Sequence, residues 1–390
     1  MRRWSAPVVL CWLFTSPLWA QVNAPVNGPD NTVHPVHAFT NAIVHVSPDE
    51  VLPDATLLVQ EDRVIGVGAR LRVPSGAIVH DLQGLHIWPA LVEPYGSYGV
   101  PEAPKGGDAP TAGARFWNRA VHATTHADQL LVADVEKAGA LRAQGFGTVI
   151  TQRHDGIVRG TSAAVVLAGR SVNEDVIVPR CAAQFSFRKG SSPDNYPSSL
   201  TGSIALLRQT FYDARWYADQ GRLEQSDAEL EALNAQLGLP LVFEASERND
   251  VLRIAAIGRE FGLRFVVKGN GDEYARLHDV VATGQPLILP LTLPEAYDVE
   301  DPFEALEVST AQLKHWELAP GNAARLSAAG VTFAFTTQGL KEPAELWSNL
   351  RRMVLAGLDS AAAIAAITTQ PAAMFGLSDR VGALRKGMLA

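Results

Sequence analysis

The feature that most restricts this chain is a pattern that begins after Pro89: short apolar runs alternate with amphipathic helical stretches. The runs are Leu91–Tyr95, Gly147–Thr151, Ala163–Leu167, Pro240–Ala245, Arg264–Lys268, Pro286–Pro290 and Val331–Thr337. Helical periodicity lies at Asp128–Gln144, Ser198–Gln220, Gln225–Leu237, Asn249–Phe261, Glu273–Thr283 and Pro320–Ala329, and two further helices follow at Glu342–Ala356 and Ser360–Thr368. Short apolar strands that are each followed by a helix build a parallel sheet covered by helices. About eight of them over roughly 290 residues make an α/β chain of the (β/α)8 TIM-like barrel type. No Gly-x-Gly-x-x-Gly follows the first strand and no Gly-x-x-x-x-Gly-Lys-Ser/Thr occurs, so a nicotinamide or ATP site is unsupported.

The segment ahead of the barrel is different. Residues 38–88 read as short strands and hairpins, a small β-sandwich unit that cannot bury both faces alone. Residues 1–20 carry Arg2 and Arg3, a short apolar run and Pro17-Leu-Trp-Ala20, the plan of an export signal. The apolar run is too short to span a membrane. Residues 21–37 read as a flexible lead-in. The expectation is therefore a soluble mature chain, periplasmic or secreted. Signal removal would take Cys11 and leave Cys181 alone, so no internal disulfide is expected. With 47% hydrophobic and 19% charged residues the chain can bury a large core. Its formal net charge of −8 argues against nucleic acid or an anionic membrane surface as partner.

Several segments, in order, resemble the amidohydrolase superfamily. Ala38-Phe-Thr-Asn-Ala-Ile-Val-His is similar to the opening strand of its composite β-sandwich, and Val59-Gln-Glu-Asp-Arg-Val-Ile-Gly-Val-Gly to its hairpin. Asp81-Leu-Gln-Gly-Leu-His-Ile-Trp-Pro-Ala-Leu-Val-Glu resembles the run into the first barrel strand, and Gly147-Thr-Val-Ile-Thr the second. The most specific match is Ala361-Ala-Ala-Ile-Ala-Ala-Ile-Thr-Thr-Gln-Pro-Ala-Ala-Met-Phe-Gly-Leu followed by Arg380-Val-Gly-Ala-Leu-Arg-Lys-Gly, which resembles the closing helix and the return to the sandwich. The resemblance implies a barrel over 89–380, a return to the sandwich over 381–390, and metal-dependent hydrolysis of non-peptide C–N bonds, with one or two divalent metals activating water.

The resemblance also implies metal ligands at strand ends: His-x-His after strand one, Lys or Glu after four, His after five and six, Asp after eight. Tyr95 and Ser97 stand at the strand-one positions, Glu244 after strand five, Lys268 after strand six and Gln338 after strand eight. A phenol and an alcohol are poor zinc ligands at neutral pH, and Gln338 cannot ionise. These degenerate positions imply no metal in this chain, with zinc or another divalent ion expected only if the site is active. His154 is the one histidine near an expected strand end. It is read either as a binding or catalytic residue polarised by Asp155 or as a loop residue. Glu244 and Lys268 end neighbouring strands, so they either form an ion pair in place of the metal charge or face solvent separately. Phe185–Leu200 is a turn-rich stretch readable as a substrate or partner loop or as an ordinary barrel loop. Trp216 and Tyr217 read as helix packing.

Because the sandwich return has barely begun at Ala390, an unpaired sheet edge is expected, and with it a piece of something larger. Tyr95-Gly-Ser-Tyr-Gly, Arg153-His-Asp-Gly and Tyr196-Pro-Ser-Ser-Leu resemble the metal-ligand-poor first half of exported bacterial proteins with two amidohydrolase-like halves. Three functions follow. One is a pseudo-enzyme barrel supporting a catalytic second half or subunit. Another is an active hydrolase using His154, Asp155 and Glu244. The third is a barrel binding a small molecule at its mouth.

Overall fold

The computed structural model describes residues 34–106 and 113–390. The expected export signal and most of the lead-in lie outside the described residues. No helix among the described residues is long and apolar enough to cross a membrane.

The N-terminal sheet contains β1 (Val36–Ser47), β2 (Glu50–Gln60), β3 (Arg63–Gly68), β4 (Ile78–Asp81) and β5 (His86–Ile87), ordered β3-β2-β1-β4 with β5 also on β1. Its first strand therefore takes in His37, which was expected in the lead-in. Ala42, Val44 and Val46 alternate onto one face and bury against Ala55, Leu57, Val64 and Leu384. On this sheet the imidazoles pair with one another: His37 Nδ1 lies 3.0 Å from His80 Nε2, and His45 Nε2 lies 2.8 Å from His86 Nδ1. Trp88 stacks on His45. The expected bare edge is covered in part, at Arg63 and Val64. The Val64 amide donates to the Met388 carbonyl, the Gly387 amide to Val64, and Leu389 bridges Arg63.

Eight strands form the second sheet: β6 (Leu91–Gly96), β7 (Phe146–Thr151), β8 (Val158–Val166), β9 (Val176–Ser186), β10 (Leu241–Glu244), β11 (Phe265–Lys268), β12 (Leu287–Pro290) and β13 (Phe333–Thr336). They are hydrogen-bonded in chain order from β6 to β13. Two departures from the expected all-parallel sheet matter. β8 runs antiparallel to both neighbours, because the six residues from Gln152 to Ile157 cannot make the crossover that a parallel return needs. β9 is a strand that the sequence hid, since Pro179 and Arg180 interrupt its apolar run. The expected Asp128–Gln144 helix is split into Ala127–Leu130 and Val135–Ala143.

Period-two alternation sorts the barrel side chains. Val92, Ile150, Ala164, Ala182, Val242, Val266 and Ile288 face inward and fill the interior. Phe185, Phe243, Phe265 and Phe335 face outward under helices such as Arg248–Phe261 and Glu345–Leu355. Phe265 meets Phe185 and Phe243 edge-on at 5.8 and 5.5 Å. Glu244 and Lys268 follow the inward residues Val242 and Val266 by two, which aims both into the barrel mouth. Cys181 is buried in the interior as a free thiol that burial pushes up to about 12, so it is inert.

Candidate functional site at the barrel mouth

The mouth is organised around Arg159. Because β8 is antiparallel, its N-terminal end lies beside the C-terminal ends of β9 and β10, with Val158 opposite Phe185 and Ser186 opposite Glu244. Arg159 is only 4% exposed. One guanidinium nitrogen, Nη1, lies 2.7 Å from Glu244 Oε2 and donates to Tyr95 Oη at 2.9 Å, while Nε donates to the Gly156 carbonyl at 3.1 Å. The Tyr95 hydroxyl donates to Glu244 Oε2 at 3.2 Å. Strands one, three and five are thus joined through three side chains. Lys268, in register with Glu244, holds its ammonium 6.0 Å from the Tyr95 ring centroid. The His154 ring packs against Tyr95 at 4.7 Å.

Beside this cluster Glu93 ties the first strand to the last. It is 2% exposed. Its Oε1 accepts from the Tyr95 amide at 2.9 Å and Thr336 Oγ1 at 2.5 Å, and its Oε2 from the Thr337 amide at 2.8 Å and Thr337 Oγ1 at 2.6 Å. The sequence offered a signal here: a glutamate inside an apolar run demands buried partners.

The expected site residues are brought together only in part. Tyr95, Glu244, Lys268 and His154 converge. Ser97 lies past the end of β6 and is exposed, and Gln338 is exposed beyond the end of β13 in the turn at Gly339. The ion pair expected between Glu244 and Lys268 is instead made by Arg159, which reaches Glu244 because β8 is reversed. Asp155 does not polarise His154. It accepts from the Ser191 amide at 2.6 Å and Ser191 Oγ at 2.7 Å and stands 3.5 Å from His122 Nε2, while His154 Nδ1 sits 3.3 Å from Gln152 Nε2. The Phe185–Leu200 stretch is braced internally: Lys189 donates to the Asp194 carbonyl, and Asp194 pairs with Arg119. Tyr217 is buried, as expected of a packing residue, whereas Trp216 is 38% exposed.

The electrostatics agree with the geometry. Burial pushes Glu244 up, but Arg159 and Lys268 outweigh it and hold the carboxyl at about 2. Burial opposes the Arg159 charge, yet Tyr95 and Glu244 raise it above its ordinary range. Burial also drives the Tyr95 phenol upward, so it stays neutral. Burial first, and Arg159 next, lower His154 to about 4. The unfolded chain protonates His154 near 6.5 and Glu244 near 4.5. The stability held by neutral His154 is therefore present above pH 6.5 and lost as pH falls towards 4. That held by ionised Glu244 is present above 4.5 and lost towards 2. The His154 share is on the order of 3 kcal/mol. Urea midpoints measured between pH 7.5 and 4 are expected to fall, and to fall less in His154→Gln; equal falls in both proteins would refute this assignment.

Solved structures share this architecture. An amidohydrolase from Thermotoga maritima MSB8 superposes with a TM-score of 0.71 at 20% identity, over 91% of this chain and 92% of that one. This chain has the amidohydrolase fold. The β-aspartyl dipeptidase from Fervidobacterium islandicum AW-1 matches with a TM-score of 0.52 at 15% identity, over 91% and 90% of the two chains. Molinate hydrolase matches at 0.52 and 14%, over 92% and 88%. No protein-family model matches the sequence, and no curated protein matches it.

Hydrolases of the amidohydrolase fold hold divalent metals at the mouth, which sets the chemistry that the residues here would have to supply. A divalent metal needs several neutral imidazoles or free carboxylates converging on one point. Here the strand-one position offers a neutral phenol, and the strand-five carboxylate is already neutralised by Arg159. A dication would also meet the Lys268 charge. Among the described residues no three His, Cys, Asp or Glu side chains converge as a metal site. The donor set does not fit the metal.

Proposed function

We propose that this chain is a pseudo-enzyme of the amidohydrolase superfamily, a barrel that supports a catalytic amidohydrolase half or subunit without hydrolysing C–N bonds itself. The observation that carries the reading is the Arg159–Glu244–Tyr95 cluster: at two of the strand ends where the family holds metal, the side chains are spent on an internal cation. A guanidinium cannot lower the pKa of a bound water as a metal does, so the cluster supplies charge and rigidity rather than a nucleophile. This chain is accordingly not assigned the hydrolytic activity of the dipeptidase or of molinate hydrolase. His154, Asp155 and Glu244 make a poor alternative catalytic set, because Asp155 is turned to Ser191 and Glu244 is committed to Arg159. Export, read from residues 1–20, belongs to the same proposal and places the supported activity outside the cytoplasm.

Elemental analysis of the purified chain tests it. Zinc, manganese and iron are expected well below one per chain after dialysis against each metal, with no turnover of N-acyl amino acids or cyclic amides. One tightly held metal per chain, together with chelator-sensitive hydrolysis, would overturn the reading.

A further inference from the structure

Two helices on the outside of the barrel carry side chains that the core does not need. The Pro302–Glu307 helix contributes no buried residue. Phe303 is 80% exposed and Leu306 81%. With each residue turning the helix by about 100°, Leu306, Phe303, Glu307 and Glu304 follow one another around it, away from the half-buried Ala305. From Glu295 to Leu313 the chain holds six carboxylates and no Lys or Arg. The Glu345–Leu355 helix buries Leu346, Asn349, Leu350 and Met353 on its inner side. On its outer side Trp347, Arg351 and Leu355 stand one turn apart in a row, with Arg352 beside them and no carboxylate between Trp347 and Leu355.

Four large apolar side chains among the described residues are 80% exposed or more. Three of them, Phe303, Leu306 and Leu355, fall on these two faces, and the fourth is Leu223. Apolar groups gathered in this way mark contact surfaces. The side chains of Glu304, Glu307, Arg351 and Arg352 have no ion-pair partner among the described residues. Lys341 pairs with Glu295, so the chain leading into one helix meets the chain leading into the other.

We propose that these faces form an interface between two copies of this chain, the Pro302–Glu307 face of one against the Glu345–Leu355 face of the other. The occupant follows from complementarity: one face is acidic and apolar, the other basic and apolar, and a second copy presents both. Carboxylate–guanidinium pairs set the register, and the leucines and aromatic rings supply the buried area. A two-fold axis makes the contact twice and closes the assembly as a dimer. None of these groups belongs to the mouth cluster, so the interface stands or falls independently of the pseudo-enzyme reading.

Sedimentation velocity of the full chain between about 1 and 100 μM tests the proposal. The mass is expected to rise with concentration from one chain to two, and to rise less at high salt. Glu304→Arg/Glu307→Arg and Arg351→Glu/Arg352→Glu are each expected to weaken association about tenfold or more, because like charges then meet. Mixed in equal amounts, the two variants present opposite charges at both contacts and are expected to associate as the parent does. Leu306→Ser/Leu355→Ser is expected to weaken association as well. Leu223→Ser, which removes the most exposed apolar side chain outside both faces, is expected to change nothing. All the substituted side chains are exposed, and circular dichroism checks that each variant is folded. The proposal is overturned if the parent stays a single chain throughout, if the charge variants associate as the parent does, or if their mixture stays dissociated.

Discussion

Arg159→Met is expected to lower stability by about 3–5 kcal/mol, seen as a fall in the urea midpoint at unchanged slope. The loss comes less from the missing attraction than from what remains. Glu244, with 16% of its side chain exposed, is left ionised without its counter-charge. Lys268 is poorly placed to take over, since its ammonium is held over the Tyr95 ring rather than at the carboxylate. The double variant Arg159→Met/Glu244→Leu is expected to recover most of the loss, because replacing both charges removes the desolvation penalty together with the pair. If Arg159→Met costs less than about 1 kcal/mol, the cluster does not hold strands one, three and five together. If the double variant is as unstable as the single, packing rather than charge is at stake.

Glu93→Ala is expected to cost about 2–6 kcal/mol, because the Tyr95 and Thr337 amides are fixed backbone donors and each becomes a buried unsatisfied group. The two threonine hydroxyls can rotate to other acceptors and add less. This is the carboxylate through which the first barrel strand grips the last. Hydrogen exchange should therefore report faster opening of Leu91–Gly96 and Phe333–Thr336 in the variant, with β10 and β11 little affected. Uniform loss of protection across the barrel would instead mark Glu93 as an ordinary buried acid.

Much of the architecture was legible in the chain itself. Leu241–Glu244 and Phe265–Lys268 are short apolar runs ending in a charge, and period-two alternation from Val242 and Val266 aims both charged residues inward. Two things were not. Pro179 and Arg180 masked β9, because they break its apolar run into two pieces, each too short to carry the pattern of a buried parallel strand. The direction of β8 was also hidden, since a run such as Val158–Val166 reads the same whichever way it is laid in the sheet.

That direction decided the site. Local composition determines which segments are strands and which faces are apolar, since burial and backbone geometry act within a few residues. So the chain alone specified a β-unit followed by a barrel. Which charge meets which across the mouth depends on strand order and polarity, set by the packing of segments far apart in sequence. Arg159 opposite Glu244, Glu93 under Thr336 and Thr337, and Asp155 turned away from His154 are outcomes of that packing, and only the tertiary structure decided them.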